Sequence, residues 1–228
     1  MFTMGPPLRG QAGGDPYIGS VLAGLHFNDA NGTTTPSVSI GTPTVANGGT
    51  ANNKVTTTDP KFGSGCWQAT ANAGLTLQKT TDAAGPYTFS FWVKPTSFGA
   101  TFGRFWGVQT VSSGHRFSLS VVAGAVFYLN ESATPQATTG VMSLNTWYFI
   151  SVCYSGGTVT VYLDGVSIYT NSGANAKPLA SENVTVNIGQ SGGVGGSDGA
   201  AAFDDFRWTH GINRFPDVLP PTAAFPDT

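Results

Sequence analysis

Hydrolysis of a glycosidic bond needs two carboxyl groups flanking that bond, about 5–5.5 Å apart where configuration is retained. The acidic residues of this chain are poorly spaced for it. There are only two glutamates, Glu131 and Glu182, each isolated, and no ExDxxE spacing exists. The adjacent pair Asp204-Asp205 lies in a run that reads as a strand. Successive side chains of a strand point to opposite faces, so these two carboxylates are expected to diverge. His26, His115 and His210 do not cluster, and no serine or cysteine sits in a nucleophile-elbow motif. The residues predict no catalytic centre.

Aromatic residues carry a different chemistry. Trp106, His115, Tyr128 and Tyr154 are candidates to line a concave sheet and stack on sugar faces. Rings also bury large areas and are enriched at protein interfaces, so the reading these residues favour is core or subunit contact, with sugar stacking as the alternative. Phe98, Phe102, Phe105 and Trp106 fall in a Gly-rich stretch that reads as an apolar docking patch.

The elements that position these groups are strands. The 31 glycines and 14 prolines divide the apolar residues into short runs, and no helical period sustains itself. In Tyr87-Thr88-Phe89-Ser90-Phe91-Trp92-Val93-Lys94 the odd positions share one face and the even positions the other. This predicts one face in the core and one partly wet. Further strands are expected at residues 18–27, 38–45, 104–108, 116–121, 125–129, 146–153, 158–163, 166–169, 184–188 and 202–208. Asp164-Gly165 is a hairpin signal, because Asp-Gly readily adopts the positive φ angles of a type I′ turn. About a dozen strands at regular spacing predict an all-β, two-sheet antiparallel sandwich.

At 228 residues a single domain is expected, with residues 1–16 as a flexible Gly/Pro-rich arm and residues 17–228 as the sandwich with its Pro-rich tail. Charged residues make only 10% of the chain and the net charge is −2. With no Lys/Arg run there is no basic footprint for nucleic acid. No apolar run approaches the roughly 20 residues needed to span a membrane, and the start lacks the pattern of a signal peptide. Cys66 and Cys153, with no CxxC motif, read as buried small hydrophobes rather than a disulfide.

Several segments, in order, carry a family resemblance: Leu25-His26-Phe27-Asn28-Asp29-Ala30-Asn31-Gly32, Lys61-Phe62-Gly63, Phe89-Ser90-Phe91-Trp92-Val93-Lys94, Trp147-Tyr148-Phe149-Ile150-Ser151-Val152 and Val161-Tyr162-Leu163-Asp164-Gly165-Val166. The set closes with Phe203-Asp204-Asp205-Phe206-Arg207-Trp208-Thr209, then His210-Gly211-Ile212-Asn213-Arg214, then Pro220-Pro221-Thr222-Ala223-Ala224-Phe225-Pro226. Together they resemble a laminin-G-like, concanavalin A-like jelly roll. The closing segment resembles the variants found in bacteriophage virion structural proteins.

That resemblance implies a virion protein, in the first instance a capsid decoration protein docked on the outer capsid surface. Its partners would be capsid or other virion proteins. The alternative is a tail or fibre adhesin that binds host surface glycans. Laminin-G relatives often hold a structural calcium between opening loop and closing strand. The matching positions here are Asp205 or Asp204 with Asn28, Asp29 and Gly32, and Asn28 stands where relatives commonly have Asp. The competing reading has Asp205 tying the opening loop by hydrogen bonds, or pairing with Arg207 or Arg214. No other cofactor is expected.

Overall fold

A computed structural model describes residues 15–47, 53–70, 74–81, 84–98, 103–110, 114–122, 126–131, 134–172, 183–189, 199–212, 214 and 219–228. After a short 3-10 turn, Ile18–Ser20, the early strands are β1 (Val21–Leu25), β2 (Ile40–Gly41), β3 (Thr44–Asn47), β4 (Lys54–Thr56), β5 (Cys66–Ala69) and β6 (Leu75–Thr80). The middle of the chain gives β7 (Tyr87–Pro95), β8 (Gly103–Thr110), β9 (Gly114–Val122), β10 (Val126–Glu131) and β11 (Thr134–Val141). The last strands are β12 (Tyr148–Ser155), β13 (Thr158–Leu163), β14 (Val166–Asn171), β15 (Asn183–Ile188) and β16 (Ala201–His210).

They form two antiparallel sheets. Sheet A has nine strands in the order β14-β13-β12-β7-β16-β1-β2, with β5 branching from β16 and β4 pairing with β5; sheet B has seven, β11-β10-β9-β8-β15-β6-β3. The expected two-sheet sandwich is therefore present. Its core is aromatic: Trp106 of β8 lies 5.1 Å from Phe89 and 5.5 Å from Phe91 of β7, and Trp208 of β16 lies 5.4 Å from Phe89. All four rings are fully buried. The Asp164-Gly165 hairpin forms as expected, with φ of 50° and 84° at its two residues and Leu163 paired with Val166.

Three expectations change. The 38–45 segment divides between β2 in sheet A and β3 in sheet B. Thr134–Val141 is a strand that apolar alternation does not reveal, an edge strand with Pro135; prolines are tolerated at edges. Most consequential, β7 is not half wet. Thr88, Ser90, Trp92 and Lys94 are as buried as the core face, between 2% and 8% exposed, because other parts of the chain cover the outer face of sheet A. Phe62 stands edge-on to Trp92 at 5.9 Å, and Lys61 Nζ lies 3.9 Å over the same indole. Phe225 of the C-terminal tail packs on Phe149, itself 5.3 Å from Trp92.

Candidate functional site

Strand β16 has two successive neighbours along one edge. Ala201–Phe203 pair with β5, and Phe206–Thr209 pair with β1. Asp204 and Asp205 lie at the hand-over, where neither β5 nor β1 pairs with them. On the other edge the register with β7 shifts between Asp204 and Arg207, and Asp205 has φ 49°. This is a β-bulge, one extra residue in one strand. The expected alternation of the two carboxylates is thus corrected: Phe203 and Phe206 both enter the core cluster, and two residues instead of one lie between them.

Each carboxylate holds a different segment. Asp204 Oδ2 accepts the backbone N–H groups of Lys61 and Phe62, at 2.8 and 2.9 Å, and its Oδ1 accepts that of Asp205 at 2.8 Å. Asp205 Oδ2 accepts the Phe225 N–H at 2.8 Å, and its Oδ1 lies 2.6 Å from His26 Nδ1. The other ring nitrogen of His26 lies 2.7 Å from Asp227 Oδ1. Both aspartates of the pair are 1% exposed and spent on structural bonds, which leaves no acid and nucleophile pair here.

A second knot lies beside the first. Asp15 takes Arg207 at 2.9 Å and Arg214 at 2.5 Å, and its own N–H donates to the Thr228 carbonyl at 2.6 Å. Arg207 also donates to the Pro226 carbonyl at 3.0 Å, and its guanidinium lies 4.0 Å over the Phe225 ring. Asp15, which the sequence places in the N-terminal arm, is buried, and residues 1–14 of that arm lie outside the described residues. The alternative pairing of Asp205 with Arg207 or Arg214 is also replaced, because Asp15 fills that role.

The charges follow the geometry. The Asp205 hydrogen bond, against the cost of burial and with help from Asp227, raises His26 to about 9. Burial pushes the Asp204 carboxyl up to about 7, opposed by its backbone donors and reinforced by the neighbouring Asp205. Burial likewise pushes the Cys66 thiol up to about 12, the state of an inert buried cysteine. Cys66 and Cys153 are both free and buried.

The residues expected to hold calcium do not converge. Asn28 Oδ1 accepts the Ser64 N–H, and Asp29 accepts the N–H and hydroxyl of Ser37. The Gly32 N–H donates to the Val55 carbonyl. Calcium takes six to eight oxygens. Here the side-chain oxygens of Asp204 and Asp205 already face N–H donors. Among the described residues no group of three or more His, Cys, Asp or Glu is arranged to hold a metal. The donor set does not fit the ion.

The aromatic candidates divide. Trp106 and Phe105 are core residues, and Phe98 packs half-buried against the same core, so the expected docking patch is not formed by these three. Tyr154 is also in the core, stacked on Tyr87 at 5.1 Å. The side chains of His115 and Tyr128, and the whole of Phe102, lie outside the described residues. In backbone register His115 is opposite Gln109 and Tyr128 opposite Ser120.

Residues that the sequence reading passed over form the other face of sheet B. Leu75, Leu77, Val108, Leu119, Val184, Val186 and Ile188 point into the core. By strand alternation Thr76, Gln78, Ser118, Ser120, Thr185 and Asn187 point away from it. One row crosses the strands as Thr76, Asn187, Gly107 and Ser118. Asn187 Nδ2 and Ser118 Oγ, on either side of the glycine, are buried without a hydrogen-bond partner. The signal available in the sequence was the Thr/Asn/Ser alternation in 183–188 and 118–120, which is polar where an aromatic platform was sought.

These features define the class. The family model described as the concanavalin A-like lectin/glucanases superfamily, of laminin-G type, matches residues 68–211, and the chain belongs to that family. No curated protein matches it in sequence. Among solved structures it is similar to a Trypanosoma rangeli sialidase (TM-score 0.59, 13% identity, 87% of this chain and 32% of that one). It is also similar to domain 4 of a Geobacillus stearothermophilus arabinanase in complex with arabinotriose (TM-score 0.59, 17% identity, 87% and 96%). A third similar structure is the receptor-binding domain of botulinum neurotoxin type G (TM-score 0.55, 12% identity, 83% and 47%). The chain thus spans about a third of the sialidase and about half of the toxin domain, and nearly all of the arabinanase domain.

Proposed function

We propose that this chain is a non-catalytic saccharide-binding module carried on a bacteriophage particle, in its finer form a capsid decoration protein that displays the binding face. One observation carries the binding reading: the two sheets have unlike outer faces. That of sheet A is covered by the chain's own loop and tail at Trp92 and Phe149. That of sheet B, among the described residues, carries neutral hydroxyl and amide side chains: Gln78 is exposed and Thr76 and Thr185 are half-buried, while Ser118 and Asn187 beside Gly107 are buried, with the Asn187 amide and Ser118 hydroxyl unpaired. A polyhydroxy ligand supplies both donors and acceptors to such a row of neutral hydroxyl and amide groups. The arabinanase domain similar over almost its whole length holds arabinotriose, which supports the same reading.

The virion setting rests on the closing segment from Phe203 to Pro226 and on the low charge of the chain. Many weak contacts around a shell would add by avidity. The second reading, a tail or fibre adhesin for host glycans, is favoured by the likeness to a toxin receptor-binding domain. Mass spectrometry of separated heads and tails decides between them: high copy on DNA-filled heads is expected, and recovery with tails alone would replace decoration by adhesion. Saccharide binding itself is tested on glycan arrays with the purified chain.

A further inference from the structure

We infer that the His26 imidazolium is the cation that closes this domain, so that its opening segment, closing strand and tail are held together without a metal ion. The argument is one of donors and acceptors. Both ring nitrogens of His26 face carboxylate oxygens, Asp205 Oδ1 at 2.6 Å and Asp227 Oδ1 at 2.7 Å. Ionised carboxylates only accept, and a neutral imidazole has one donor nitrogen and one acceptor. Two carboxylate contacts therefore require both nitrogens to donate, and the ring to be protonated.

Charge balance leads to the same state. Asp15, Asp205 and Asp227 are matched by Arg207, Arg214 and His26 only when His26 is charged. A neutral ring would leave Asp205, at 1% exposure, without a counter-charge where desolvation is costly. The three groups come from three segments: His26 follows β1, Asp205 is the bulge of β16, and Asp227 belongs to the tail, 201 residues from His26. The ring therefore acts as a clasp. With Asp205 Oδ2 on the Phe225 N–H and Arg207 on the Pro226 carbonyl, it fixes three successive tail residues over sheet A.

The test uses the whole chain. Nitrogen-15 NMR of the histidine side chains at pH 7 should show His26 protonated on both nitrogens. The melting temperature should be the same in EDTA and in excess CaCl2. His26→Gln, whose two N–H donors sit on one nitrogen rather than at opposite ends of a ring and which carries no charge, should melt lower by roughly 5 °C or more and release the amide of Phe225 to faster hydrogen exchange. A singly protonated His26 at pH 7 overturns the inference, as does a melting temperature several degrees higher in CaCl2 than in EDTA. The wild-type measurements stand if the variant does not fold.

Discussion

Asp15 and Arg207 meet at 2.9 Å beneath the end of the chain, 192 residues apart in sequence and both almost wholly buried. Asp15 is also the counter-charge of Arg214. Removing one partner of a buried pair leaves an uncompensated charge at a cost of about 3–5 kcal/mol. Asp15→Ala should therefore lower the melting temperature by on the order of 10 °C. An unchanged melting curve would mean that the N-terminal entry to the fold does not anchor the tail.

The Lys61-Phe62-Gly63 segment makes a sharper local prediction. Gly63 has φ 61°, and a Cβ there would stand 2.1 Å from Asn28 Oδ1. Gly63→Ala should break the Asn28–Ser64 hydrogen bond and add backbone strain, costing about 1–3 kcal/mol. Gly32 has φ 92° but nothing within 4 Å of an added Cβ, so Gly32→Ala should cost only its strain, about 1 kcal/mol. Chemical denaturation of the pair compares the two effects; equal losses would contradict the close approach at Asn28.

Stability should fall with rising pH in two windows. His26 is raised from 6.5 to about 9. Its contribution is fully present below 6.5 and is lost as pH rises through 9. Asp204 is raised from 3.8 to about 7. The folded state holds that proton more tightly, so stability falls as the unfolded chain ionises above 3.8, and the loss is complete above 7. Each pKa unit corresponds to about 1.4 kcal/mol, so each window carries a few kcal/mol. Urea unfolding from pH 4 to 10 should show Asp204→Asn flattening the lower window and His26→Gln the upper. Parallel curves for the variants and wild type would contradict these assignments.

The local patterns in the sequence carried the fold because they are local. The β7 alternation, the Asp164-Gly165 turn and the aromatic core positions all express a strand period or a turn geometry within a few residues. What covered the second face of β7 was not legible, since Phe62 and Phe225 reach Trp92 and Phe149 through chain reversals that no period records. The bulge at Asp205 was hidden for a related reason: it arises because β5 and β1 share one edge of β16, a property of topology. The closing motif pointed to the right residues. Asp205, Arg207, Phe225 and Pro226 are the parts of a tail clasp; of the two readings of Asp205, calcium ligand or hydrogen-bonded tie to the opening segment, the geometry follows the second. Thr134–Val141 escaped notice because an edge strand with Pro135 and Gly140 has no apolar face to display.

Sheet B supplies the most direct test of the proposed function. Purified wild-type chain, Asn187→Leu and Thr185→Arg should be compared on a glycan array in EDTA, with melting curves confirming that each variant is folded. The predicted result is specific saccharide binding by the wild type, undiminished by the chelator, and its loss in both variants. A folded wild type that binds no saccharide, or variants that bind as well as it does, would contradict the assignment of sheet B as the binding face.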